Sequence, residues 1–292
     1  MGLSPEQVAA YRRDGYLVLP GVLGAADLRT LRAAVDDLLA GARGVPAGNA
    51  LYDLEDSHRP DAPRVRRLKL PHRHHPAFDA LIRDERLLAP MRSLLGESLR
   101  LQTSKLNLKS AGYGAAVEWH QDWAFYPYTN DDVLALGVML DDFTPDNGPM
   151  LVLPGTHTGP IHDHTGRGVF CGAIDVTRTR LDLAAAVPAL GPAGSITLHH
   201  ARLVHGSALN TSGRSRHFLL YEVMAADAWP LAGSAHYTDL AEFDSRMLCG
   251  TSTLQPRLTA VPVRMPLPRP PDAGSLYQTQ KHLDHRYFEV AR

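Results

Sequence analysis

The stretch VEWHQDWAFY places His120 and Asp122 two positions apart. In an extended chain, residues i and i+2 point to the same face. If residues 118–123 are extended, an imidazole and a carboxylate project together, and Trp119 and Gln121 turn the other way. Such a pair can occupy two adjacent positions of a metal. A second imidazole would complete a set of two histidines and one carboxylate on one face of an octahedron. That set leaves the opposite face open, as Fe(II) chemistry with O₂ requires. The H-x-D spacing alone is common, and a polar turn that happens to hold a histidine reads equally well, so the third ligand decides.

Three regions compete for that place. PHRHHP offers His72, His74 and His75, but it has flanking prolines and no carboxylate nearby, and it reads as a solvated loop. THTGPIHDH holds His157, His162, Asp163 and His164 and can bind a metal by itself. GSITLHHARLVHGSALNTSGRSRHF carries His199, His200, His205 and His217. In this last region His205 follows a strand-like segment and precedes Gly-Ser, and Arg216 stands eleven residues on, at the head of the next strand-like segment.

The elements that must position these residues change character along the chain. Ser4-Pro5-Glu6-Gln7 has the signature of a capped helix start, and the helix should stop at Asp14-Gly15. Tyr16 to Leu19 reads as a short strand. Ala25 to Leu39 repeats apolar residues at helical period, residues 41–63 read as a loop, and another helix covers about 76–95. From there short β-type segments dominate: Leu99 to Lys109, Val133 to Leu140, Met150 to Leu153, Ser195 to His200 and His217 to Val223. Turn signals such as Asp146-Asn147-Gly148-Pro149 and Thr211-Ser212-Gly213 separate them, a pattern of sandwiches and jelly rolls. Residues 262–271 hold five prolines and read as an irregular arm. The tail SLYQTQKHLDHRYFEV is expected either to pack back on the core or to form a subunit contact.

Composition narrows the function classes. The chain has 292 residues, 44% hydrophobic and 21% charged, with a formal net charge of -1. No basic block or acidic tail favours a nucleic-acid or membrane-surface partner. Cys171 and Cys249 are far apart and form no CxxC pair, so free thiols in a reduced compartment are expected. No signal core or long apolar run is present, and a cytoplasmic location is expected.

In H-x-D, a histidine 85 residues later and an arginine 11 residues beyond it, the sequence resembles the phytanoyl-CoA dioxygenase family. DGYLVLPGVL, WHQD, TPDNGPMLVLPGTH and HGSALNTSGRSR are similar to family segments in the same order, over about residues 4–225. The resemblance implies a mainly β fold with flanking α-helices, a cupin-like double-stranded β-helix (jelly roll). It implies one oxygenase domain over 1–292, with a helical part about 1–96, a jelly-roll core about 97–225 and an arm about 226–292. It also implies an enzyme dependent on Fe(II), 2-oxoglutarate and O₂, which oxidises a small molecule, most simply by hydroxylating a C–H bond, and releases succinate and CO₂.

Position by position, the resemblance assigns the iron to His120, Asp122 and His205. Arg216 pairs with the distal carboxylate of 2-oxoglutarate, because a guanidinium fork matches a carboxylate, and Ser207 assists. A polar residue on the strand before H-x-D touches the co-substrate: Asn107 fits best, with Gln102 and Lys105 behind it. The retained Asp122 argues against halogenation. Trp123, Phe125, Tyr126 and Tyr128 are candidates for the pocket mouth. Arg246, Arg67 and Lys69 are candidates for an anionic substrate, with surface charge as the plainer reading. Two rivals stand beside this one: a non-redox metal hydrolase or isomerase on a similar barrel, which has no need of Arg216, and a silent binding protein, which usually lacks a ligand.

Overall fold

Two antiparallel sheets carry the site in the computed structural model, which describes residues 2–112, 114–232, 239–270 and 275–290. The larger sheet runs, side by side, Tyr16–Leu19, Ile196–His200, Val133–Met139, Arg216–Ala225, Leu99–Lys109, Val65–Lys69 and Tyr52–Leu54, and Met247–Cys249 also pairs with Leu99–Lys109. The smaller sheet is Val187–Pro188, Leu151–Val152, His205–Ser207 and Val117–His120. Along the chain the strands from Leu99–Lys109 to Arg216–Ala225 largely alternate between the two sheets. That alternation is the expected jelly roll, and it is why residues distant in sequence meet between the sheets.

Period-2 alternation divides the larger sheet into a dry face and a polar one. On one side Leu106, Leu136, Leu198, Leu219 and Tyr221 join Leu28, Leu31, Phe78, Ile82 and Met91 of the helices in one core. Each fully buried leucine contributes on the order of 2 kcal/mol. The opposite parity of Leu99–Lys109 and Arg216–Ala225 puts Lys105, Asn107, Lys109, Arg216, Phe218 and Leu220 around one inner cavity.

Local signals account for the helices. The helix Pro5–Asp14 has the full capping box, with Ser4 N donating to Gln7 Oε1 at 2.8 Å, and it ends on Gly15 at φ 81. Four segments differ from the sequence expectation. Residues 76–95 form two helices, Pro76–Ile82 and Glu85–Leu95, because Asp84 accepts from Arg86 N at 2.8 Å and starts a new helix. The expected loop 41–63 contains the strand Tyr52–Leu54. RVRRLKL contains the strand Val65–Lys69, whose charge conceals it because Arg67 and Lys69 face the interior cavity. His72 and His74 lie on the short helix Pro71–His74 rather than in a solvated loop, and His72 Nδ1 bonds Ser104 Oγ at 2.5 Å.

Residues 262–270 form no regular element; Pro271 lies outside the described residues. The tail packs back on the core: Phe288 is buried against Trp119, ring centroids 5.3 Å apart. Among the described residues no helix is long and apolar enough to cross a membrane.

Candidate active site

His205 is the direct register partner of His120 in the smaller sheet. Cross-strand partners have close Cβ atoms, and here the two rings lie 4.1 Å apart, centroid to centroid. The next partners are Ser207 and Val117, so three steps on one strand face two on the other. This bulge turns Val117 and His120 both inward, while Glu118 points out and accepts from Tyr287 N at 2.9 Å. Gly206 permits the close approach, since a Cβ there would stand 2.9 Å from the Phe288 ring and 3.1 Å from Val117 O.

Asp122 does not continue the strand, as an extended 118–123 would have it. The strand ends at His120, and Asp122 opens the 3-10 turn Asp122–Ala124, where Trp123 N donates to Ala201 O at 2.8 Å. The turn still delivers the carboxylate: Oδ1 is 3.7 Å from His120 Nε2 and Oδ2 is 3.8 Å from His205 Nε2. One ligand atom from each of the three residues lies within 4.8 Å of the others, and all three side chains are buried.

The donor set fits a divalent metal. His120 Nδ1 bonds Glu118 O at 2.8 Å, and His205 Nδ1 bonds Leu203 O at 3.0 Å. A carbonyl accepts only, so each Nδ1 carries the proton and each Nε2 presents its lone pair to the cluster. Burial holds the His120 imidazole well below its usual range and that of His205 down to about 4, so both are neutral near pH 7. Burial opposes the charge on Asp122, but Lys105 and the neighbouring histidines outweigh it and hold the carboxyl well below the carboxylate range. A third imidazole, His199, lies with Nε2 3.5 Å from Asp122 Oδ2, and its Nδ1 has no hydrogen-bond partner among the described residues.

Arg216 is buried at the far end of the same cavity, which Ser207, Asn107, Lys105 and Lys109 also line. Its Nη2 donates to Gly148 O at 2.5 Å, its Nε has no partner among the described residues, and the guanidinium lies 4.7 Å from the centre of the Phe143 ring. Gly148 adopts φ +66, where a Cβ would meet Ala208 O at 2.6 Å, so the Asp-Asn-Gly-Pro turn needs its glycine. Burial lowers Arg216 to about 10. A buried cation with an idle donor and no carboxylate partner is built to receive an anion.

The other sequence candidates separate. Phe125 and Tyr126 line a second cavity of about 400 Å³ that opens beside the triad, and His120 meets Phe125 edge-on at 6.1 Å. Trp123 and Tyr128 do not line it. Both are fully buried in a cluster with Val133 and Met224, and Trp123 Nε1 donates to Pro262 O at 2.9 Å. Gln102 sits at the register shift of its strand and lines neither cavity, so it is not brought to the site. Arg246 lines neither cavity and pairs with Glu242.

The rival histidines are also placed. His164 uses Nε2 to accept from Gln121 N at 3.0 Å and Nδ1 to bond His162 O at 2.9 Å, so neither nitrogen is open to a metal. Arg67 is buried rather than a surface charge and donates to Asn107 Oδ1 at 2.9 Å.

Sequence reasoning missed Lys109 and His199 as site residues, and the tail residues Leu276 and Tyr277 that close the cavity. The period-2 run Lys105, Asn107, Lys109 was the available signal for Lys109. Nothing local signals the tail.

The phytanoyl-CoA dioxygenase (PhyH) family model matches residues 11–218. A probable alpha-ketoglutarate-dependent hypophosphite dioxygenase of Stutzerimonas stutzeri is 39% identical over 287 residues, covering 97% of this chain and 99% of that protein. The L-proline trans-4-hydroxylase of Streptomyces griseoviridis is 31% identical over 234 residues, 72% of this chain and 82% of that protein. Among solved structures, EctD from S. alaskensis with bound Fe superimposes with a TM-score of 0.62 at 27% identity, over 77% of each chain. EctD has also been solved with 2-oxoglutarate and 5-hydroxyectoine. With a jelly roll, a buried His/Asp/His cluster and relatives of this kind, the chain belongs to the phytanoyl-CoA dioxygenase family and is an iron- and 2-oxoglutarate-dependent dioxygenase.

Proposed function

We propose that this dioxygenase oxidises hypophosphite to phosphite, with iron held by His120, Asp122 and His205 and 2-oxoglutarate held by Arg216, Ser207 and Asn107. One observation carries the choice of substrate. The hypophosphite dioxygenase relative aligns over 97% of this chain and 99% of its own length at 39% identity, whereas the proline hydroxylase aligns over 72% at 31%. The likeness thus includes the tail that closes the cavity, and the whole chain is read as one oxygenase domain. A cytoplasmic location belongs to the same reading, supported by two unpaired cysteines.

The balance is hypophosphite, 2-oxoglutarate and O₂ giving phosphite, succinate and CO₂, with one oxygen atom placed in a P–H bond and the other in succinate. Iron with 2-oxoglutarate supplies the activation of O₂ when both are bound. The chain's own residues do the rest. Glu118 O and Leu203 O fix the tautomers of His120 and His205. The Arg216 fork receives one carboxylate and so sets the direction in which the co-substrate lies. Phe125 lines the neighbouring cavity and is backed by Phe170, 5.1 Å away and edge to face.

A C–H bond of an amino-acid-like substrate is the second reading, favoured by the proline and ectoine relatives and by the aromatic wall. The test is succinate formation under Fe(II), 2-oxoglutarate and air with hypophosphite, proline or ectoine, with ³¹P NMR of the product. Hypophosphite-dependent succinate matched by phosphite is expected; succinate with proline or ectoine and none with hypophosphite selects the second reading.

A further inference from the structure

We infer that Lys105, Arg67 and Lys69 form a subsite for a small, singly charged oxyanion beside the iron ligands; this rests on the dioxygenase reading above and names the substrate class of that site. Register brings the three together. Lys69 is the partner of Lys105, Arg67 is the partner of Asn107, and Thr103 is the partner of Glu222. Antiparallel partners share a face, so three basic side chains from two adjacent strands line the cavity that also exposes His120, Asp122 and Tyr126.

Their partners are too few. Lys105 Nζ lies 2.7 Å from Glu222 Oε1 and 3.7 Å from Asp122 Oδ1. Arg67 uses Nε on Asn107, and its Nη2 is buried with no hydrogen-bond partner, on a side chain of a residue 8% exposed. The Tyr126 hydroxyl is likewise buried, beside Glu222. Once Asp122 serves the metal, Glu222 is the one carboxylate among the described residues that lines this cavity against three cations, an excess of two positive charges. Buried cations without counter-charges are unfavourable, and an anion with several acceptor oxygens relieves them.

Lys105 and Arg67 also line the cavity that holds Arg216, whereas Lys69 lines only this one. Arg216 pairs with Lys109, four residues along the strand from Lys105, or about 13 Å at about 3.3 Å per residue. That separation is too long for one carboxylate to meet both. Glu222 beside Lys105 already offsets one of the three positive charges, and a small anion meets the remainder.

The experiment is an anaerobic titration of the Fe(II)–2-oxoglutarate complex, read by its visible charge-transfer band, with hypophosphite in the wild type, Lys105→Met and Lys69→Met. Each variant is expected to raise the hypophosphite half-saturation at least tenfold. Lys69 is half-buried and lines only this cavity, so Lys69→Met is also expected to leave the half-saturations of iron and 2-oxoglutarate within about twofold. Unchanged hypophosphite titration in both variants, or parallel weakening of 2-oxoglutarate in Lys69→Met, overturns the subsite. If hypophosphite is not turned over, formate and other monoanions are titrated against a neutral analogue. A Lys105-dependent response to monoanions upholds the subsite while sinking the hypophosphite assignment; no response to any anion in the wild type sinks the subsite.

Discussion

Replacing Arg216 by methionine is expected to move two quantities in opposite directions. Burial pulls the guanidinium down from its usual range to about 10. At about 1.4 kcal/mol per unit, the charged form is disfavoured by on the order of 3 kcal/mol in the ligand-free protein. Methionine fills similar volume against Phe143 and Phe218 and carries no charge. The lost bond to Gly148 O takes back about 1 kcal/mol. The ligand-free variant is therefore expected to melt no lower than the wild type.

Affinity for 2-oxoglutarate should collapse. Two charge-assisted hydrogen bonds at about 1.5–3 kcal/mol each amount to roughly 3–6 kcal/mol. At about 1.4 kcal/mol per tenfold, that is a loss of about two to four orders of magnitude. Thermal melts of the ligand-free protein and anaerobic titration of the charge-transfer band measure the two quantities, and metal analysis measures iron. An affinity for 2-oxoglutarate within threefold of wild type refutes the reasoning. So does equal loss of iron and 2-oxoglutarate, which would make Arg216 a structural residue.

His205→Ala should abolish iron retention after gel filtration, while His164→Ala should keep it, because both His164 nitrogens are engaged by the backbone; the reverse outcome would mean the third ligand is misassigned. Acid should weaken the ligand-free fold. Burial depresses His164 to about 4 from 6.5, so between those values the unfolded chain binds the extra proton and stability falls as pH drops, by on the order of 3 kcal/mol for this group alone. Urea midpoints at pH 7 and pH 4.5 read this, and equal stability at both counts against it. Cys171 is buried with its thiol pushed up to about 11, so a thiol reagent at pH 8 should label Cys249 first and Cys171 only after unfolding; prompt labelling of both contradicts the burial.

The co-substrate end of the site was legible because its residues are tied to local chemistry. H-x-D lies in one stretch, His205 and Arg216 lie in one strand-turn-strand segment, and Gly148 sits in a turn whose positive φ only glycine meets easily. Charged strands misled: Val65–Lys69 reads as surface because basic side chains are usually solvated, and an inward polar face looks the same in sequence as an outward one. Trp123 and Tyr128 misled for the converse reason. Adjacency to a ligand says nothing about which side of a 3-10 turn a ring takes, and both rings turned into the core.

The sequence by itself determined the strand-rich class and offered the candidate ligands and the arginine proposed for the co-substrate, since these follow from side-chain chemistry and from spacing within single segments. The tertiary structure decided which histidine meets Asp122, which basic residues face the metal and what closes the cavity. Those depend on register across sheets, on a bulge that turns His120 inward and on a tail packed more than 150 residues from the strand it touches. Register is the sum of many weak contacts over the whole core, and no short stretch of sequence carries it.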